Sequence, residues 1–219
     1  CTFTQNRTDM DVAEKIRLTE AQEALLQKGG VVAIPATWEE FWEFLQETDY
    51  RAEYNEGHIL LSGLPGFWHE VLVATCVRAL GAVYRGNGSF LAGSNIGVMV
   101  AGPEQACFQP DVTVVQGVPE FWGDSIAVIT NPYLVVEVLS ESTYNYDLHH
   151  KLAKYEKLQS MLEVVFVDRF HREVQTFRRT DNPKIWTQTF FTQPDEPVRL
   201  GDCTVPLGEI FAGLPEGLE

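Results

Sequence analysis

The stretch Pro132-Tyr133-Leu134-Val135-Val136-Glu137-Val138-Leu139-Ser140 constrains the fold of this chain more than any other. Its aliphatic, β-branched run leaves no polar face, so it reads as a strand covered on both sides. A carboxylate in such a strand is tolerated only when it is paired or bound to a cation, because removing it from water unpartnered is costly. Pro110-Asp111 opens a second strand of the same kind, Val112-Thr113-Val114-Val115. Two acids, each the polar exception in its strand, point to a site for a hard cation. Downstream, Asp147, Lys151 and Tyr155 are spaced four apart and share one face of a helix predicted over 145–158. An acid pair with a lysine is the combination that metal-dependent phosphodiester chemistry uses.

Around this centre the chain predicts an α/β or α+β layout. Val12, Ile16, Ala21, Leu25 and Leu26 give helical spacing over 9–28, stopped by Gly29-Gly30, and mark residues 1–36 as an N-terminal helical extension. Thr37-Trp38-Glu39-Glu40 is a capping box that starts a short helix to Thr48. Strands at 51–54 and 58–61 flank the turn Asn55-Glu56-Gly57. Val71, Leu72, Ala79, Leu80 and Val83 predict a long core helix over 67–85. From Ser89 the pattern changes to short strands at 90–91, 96–100, 111–115, 134–139, 164–167 and 173–177, then 185–190 and a short element at 207–211. A mixed central sheet with both faces covered follows, in one domain over 37–219.

Charge bears on the partner. The net charge is −15, which argues against a protein that coats nucleic acid through Lys and Arg. Only residues 149–179 are net basic, with seven Lys/Arg against four Asp/Glu, and this segment carries Lys151. Lys154 and Lys157 read as an ordinary solvated helix face. Cys1, Cys76, Cys107 and Cys203 are scattered without a Cys-x-x-Cys pair, as reduced thiols in a cytoplasmic protein are. No apolar run reaches the roughly 20 residues of a membrane span, and the polar start Cys1-Thr2-Phe3-Thr4-Gln5-Asn6 is unlike a signal peptide. Beginning at Cys1 without Met, the chain reads as trimmed or processed.

The order Glu53, His69, Pro110-Asp111, Glu137-Val138-Leu139-Ser140, Ser142-Thr143, Asp147, Lys151, Tyr155 resembles the Uma-two family over about residues 37–212. That family is similar in fold to the PD-(D/E)XK restriction endonucleases. The resemblance implies a restriction-endonuclease-like mixed sheet flanked by helices and a nuclease that uses Mg²⁺ or Mn²⁺ on DNA. It also implies metal ligation by Asp111 and Glu137, with Glu53 as a third carboxylate. In the usual motif a lysine follows two residues after the acid, but Leu139 stands there. The resemblance offers Lys151 as the migrated lysine, flanked by Asp147 and Tyr155. Spacing alone favours a plain helical ion pair for Asp147 and Lys151. Glu53 reads equally as a surface hairpin acid. His69 stands at a helix start, where it could contact phosphate or support a ligand, or simply be a satisfied surface histidine. His149-His150 belongs to a helix surface. Glu141 replaces an expected proline, and Glu70 an expected glutamine.

Duplex cutting by this fold commonly needs two sites, so a homodimer is expected. Two other functions remain open: a nuclease-fold module that binds a protein or nucleic acid without cutting, and a metal phosphohydrolase for a small substrate.

Overall fold

In the computed structural model, residues 16–140 and 147–216 are described, and the chain divides between Leu64 and Pro65 into two compact units. The predicted turn at Glu141, Ser142 and Thr143 and the segment 9–15 lie outside the described residues.

The first unit contains helix α1 (Glu20–Gln27), strand β1 (Val31–Pro35), helix α2 (Trp38–Glu47), and strands β2 (Arg51–Asn55) and β3 (His58–Ser62). Both helices begin at capping boxes, Thr19 with Gln22 and Thr37 with Glu40. In each, side chain and backbone satisfy one another's otherwise orphaned amides. β2 and β3 pair antiparallel across Glu56-Gly57, whose φ values of 50° and 77° form the two-residue loop of positive φ that matches strand twist. β1 joins β3 antiparallel to give the order β1-β3-β2. This corrects the purely helical reading of residues 1–36: Val31-Val32-Ala33-Ile34 is a β-branched, edge-forming run that finds a partner strand.

The second unit starts with helix α3 (Phe67–Tyr84), then β4 (Ser89–Ala92), β5 (Gly97–Val100), β6 (Ala106–Phe108), β7 (Val112–Gln116), β8 (Val128–Ile129) and β9 (Leu134–Leu139). A π-helical turn (Asp147–Lys151) runs into the short helix α4 (Leu152–Tyr155), followed by β10 (Glu163–Asp168), β11 (Glu173–Arg179), β12 (Trp186–Phe191), the hairpin β13 (Pro197–Leu200) and β14 (Cys203–Pro206), and helix α5 (Leu207–Ile210). Six strands form a mixed sheet in the order β12-β11-β10-β9-β7-β4, in which β9 and β10 are parallel and the other pairs antiparallel. A smaller set, β6-β5-β8, lies beside it. The mixed sheet flanked by helices is the architecture expected from the sequence.

Alternation along the strands sorts two cores. Val112, Val114, Leu134, Val136, Val138, Val165 and Val167 pack with Leu72, Cys76 and Leu80 of α3 and with Val198, Leu200 and Ile210 of the C-terminal elements. Their neighbours Val115, Val135, Leu139, Val164 and Phe166 face the other way, against Val98, Val100 and Phe108 and against Tyr155 and Leu158. Because both faces are covered, the strands read as near-continuous apolar runs.

At the end of β10 the buried Asp168 accepts from the amides of Phe170 and His171 at 2.8 and 3.2 Å, and its second oxygen lies 2.7 Å from His171 Nδ1. Hydrogen bonding and charge from Asp168 raise the His171 pKa above its ordinary 6.5. A raised folded-state pKa stabilises fully below the unfolded value and is lost as pH climbs through the folded one. His171→Gln is therefore expected to lower the urea midpoint near pH 5.5 and to leave it almost unchanged near pH 9. An equal loss at both values would show that the pair acts without its charge.

Candidate active site

The register Val112↔Val136, continued one residue, sets Asp111 across from Glu137. Asp111 Oδ2 accepts a hydrogen bond of 2.8 Å from the Val138 amide, which fixes the carboxylate beside β9. Both acids are 2% exposed. The two strand acids singled out in the sequence are thus cross-strand neighbours, and each is attended from its own side.

Helix α3 supplies the partners of Asp111. His69, in its first turn, lies 3.2 Å from Asp111 Oδ2 through Nε2 and 3.4 Å from Glu70 through Nδ1. His69 is buried rather than a surface residue, because the N-terminal end of α3 is carried onto the strand that Asp111 opens. Two turns further along, burial first and the Asp111 charge second push the Cys76 thiol up to about 12. It stays protonated and serves the packing.

The π-turn and α4 supply the partners of Glu137. Lys151 Nζ lies 3.3 Å from Glu137 Oε1 and 3.0 Å from Asp147 Oδ1, with both side chains of each pair almost fully buried. Tyr155 Oη donates to the same Glu137 oxygen at 2.7 Å. The Phe108 ring stands 5.7 Å from the ammonium and meets Tyr155 edge-on. The predicted helix over 145–158 is shorter and wider than an ordinary α-helix: Asp147 and Lys151 bound a π-turn, a form that recurs at functional sites. The Asp147–Lys151 ion pair that spacing favours is present, but it is buried, and Lys151 also reaches Glu137.

The cluster of His69, Asp111, Glu137, Asp147, Lys151 and Tyr155 is built wholly from the second unit, whereas Glu53 is a buried residue of β2 in the first. Its burial removes the reading as a surface hairpin acid. His149 and His150 are exposed, as expected. Lys154 is not on a solvated face: it is buried and pairs with Glu104 at 3.1 Å, and half-exposed Lys157 joins the same carboxylate.

Sequence reasoning passed over Glu163, although the signal that found Glu137 was present, an acid beginning the run Val164-Val165-Phe166-Val167. It is 1% exposed, bonded to Arg178 at 2.7 Å and to the Gly201 amide at 2.7 Å.

Among the described residues no group of three His, Cys, Asp or Glu side chains is arranged to hold a metal ion. The residues that could hold a divalent cation are Asp111 and Glu137, buried on adjacent strands. Two hard carboxylates suffice for Mg²⁺, which keeps water in the rest of its shell and leaves positions for a phosphate oxygen.

A family model named Uma2, described as “Putative restriction endonuclease”, matches residues 38–205. An uncharacterised protein of Synechocystis sp., sll1609, is 32% identical over 75 residues, which cover 34% of this chain and 42% of that relative. A crystal structure described as a “putative nuclease belonging to DUF820” from Anabaena variabilis superposes with a TM-score of 0.63 at 18% identity, over 78% of this chain and 96% of that one. That likeness establishes the nuclease-type fold. The segment matched by the family model holds both strand acids, the π-turn and Lys151, and the chain belongs to the Uma2 family of restriction-endonuclease-like proteins.

Proposed function

We propose that this protein is a divalent-metal-dependent endonuclease that hydrolyses DNA phosphodiester bonds, with Asp111 and Glu137 as metal ligands. The observation that carries this reading is the pair of buried carboxylates on adjacent strands with a buried lysine against one of them. When bound, Mg²⁺ or Mn²⁺ would polarise the scissile phosphate and make a water nucleophilic near neutral pH. The side chains divide the remaining work. Lys151 holds its ammonium where charge on the phosphate grows, and Asp147 keeps it there against the pull of Glu137. Tyr155 donates to one oxygen of Glu137 and so sets the rotation of that carboxylate. His69 and the Val138 amide do the same for Asp111.

Family membership supports the nuclease reading, and scattered free cysteines at 76, 107 and 203 support a reducing, cytoplasmic setting. A homodimer would bring two such centres to a duplex. The alternative of a binding module that does not cut draws on the lack, among the described residues, of a three-ligand metal group.

Calorimetric titration with Mn²⁺, paired with plasmid nicking on the same samples, tests the proposal. Wild type is expected to bind the ion and nick, and Asp111→Ala to do neither. Metal-dependent cleavage retained by Asp111→Ala would overturn the assignment, and no binding to wild type would favour the module. A steep fall of activity with salt marks polymeric DNA as substrate, and a shallow one a small phosphorylated molecule.

A further inference from the structure

On the face of the large sheet opposite Glu137, the second unit has an open cleft of about 520 Å³. The register fixes the face: Glu163, Arg178 and Thr187 align across β10, β11 and β12, and Val165, Thr176 and Thr189 form the next row. Val165 opposes Val136 on β9, so Glu137, one residue on, points to the other side. Arg199 of β13 completes the wall.

The donors in this cleft exceed what the protein uses. Arg178 spends Nη1 on Glu163 and on the Gly201 carbonyl, and Arg199 spends Nε on the same carbonyl. The remaining guanidinium N–H groups of both meet no acceptor among the described residues, and neither do the hydroxyls of Thr176, Thr187 and Thr189. Arg179 also lines the cleft but is committed elsewhere, to the carbonyls of Glu156, Leu158, Met161 and Pro183, with its guanidinium 4.6 Å from the Trp186 ring. Asp181 is the one acid on the rim. Glu163 lies on the floor, already sharing one oxygen between Arg178 and the Gly201 amide.

We propose that this cleft is a phosphate-binding site in which Arg178, Arg199 and the threonine hydroxyls hold a phosphoryl oxyanion. Two planar guanidiniums with unspent N–H groups are suited to tetrahedral oxyanions, and hydroxyls supply the remaining donors. In a chain of net charge −15, two arginines converging on one concavity form a local exception that would draw an anion in. The volume falls within the range of small-molecule pockets and admits a group of nucleotide size. The phosphoryl group is either the free end of a small phosphorylated ligand or a phosphodiester of a nucleic acid strand. The site shares no residue with the acid pair and stands or falls independently of the nuclease reading.

Thermal unfolding of the full chain in sodium phosphate, compared with sodium chloride at equal ionic strength, gives the first readout, and calorimetry gives Kd. Phosphate is expected to raise the melting temperature. Arg199→Gln and Thr189→Val, which leave the buried Arg178–Glu163 pair intact, are each expected to weaken binding by roughly tenfold or more. Asp111→Ala should leave phosphate affinity as in wild type even where nicking is lost. A nucleoside monophosphate that binds tighter than inorganic phosphate identifies a small ligand. A short single-stranded oligonucleotide without terminal phosphates, bound tighter and weakened by the same substitutions, identifies a phosphodiester. No phosphate-specific shift, or one that survives both Arg199→Gln and Thr189→Val, overturns the proposal.

Discussion

Plasmid DNA incubated with Mn²⁺ and the Glu137→Gln protein is expected to be nicked roughly 10²–10³ times more slowly than with wild type, or more slowly still. The substitution removes one negative charge and almost nothing else. Glutamine keeps an oxygen for the Tyr155 hydroxyl, and Lys151 retains Asp147 at 3.0 Å, so no buried charge is stranded. The unfolding midpoint should therefore move far less than the rate. This split between folding and chemistry separates a metal-binding Glu137 from a merely structural one, and nicking at the wild-type rate would assign Glu137 to the fold alone. Glu137→Ala is less clean, since it also vacates space under Tyr155 and leaves Lys151 with less buried negative charge than it has in wild type.

The largest effect on stability is expected far from that centre, at Gly201. Its φ of +62° is left-handed, and a Cβ there would lie 2.0 Å from Tyr84 Oη. Tyr84 is 1% exposed and its hydroxyl accepts from the Asp202 amide at 2.9 Å, so it has nowhere to swing. Gly201→Ala should cost about 2–4 kcal/mol from overpacking and backbone strain together. For a chain of this size that lowers the melting temperature by roughly 5–15 °C. Tyr84→Phe removes the colliding atom at the cost of one hydrogen bond. The double variant should accordingly be more stable than the sum of the two single effects allows. Strict additivity would mean that the backbone, not the ring, sets the penalty at Gly201.

Local rules in the sequence carried much of the fold. The Thr37–Glu40 capping box, the Asn55-Glu56-Gly57 turn and the helix over 67–84 are short-range features, and each occurs where its residues demand it. The acid pair was legible for a different reason: a carboxylate in a run of valines is costly enough that the rest of the fold must bring it a partner. Strands β1, β6, β8, β13 and β14 were not anticipated, because segments of two to five residues carry too little periodicity to stand out. His69 could not be placed, since its burial depends on where α3 lands rather than on its neighbours in sequence. The cleft of Arg178 and Arg199 is likewise a product of register, with its residues spread over four strands from Glu163 to Arg199.

The π-turn turns chain length into angular phase. An α-helix advances about 100° per residue, and a wide turn that takes up one residue more absorbs that extra rotation. Loss of one residue at His149 or His150 would let the segment relax to ordinary pitch and leave Asp147 and Lys151 as neighbours three apart on one face, while Lys151 and Tyr155 kept their mutual spacing. A relative shorter here by a single residue would keep the lysine beside its anchor, so the geometry can persist where an alignment registers a gap.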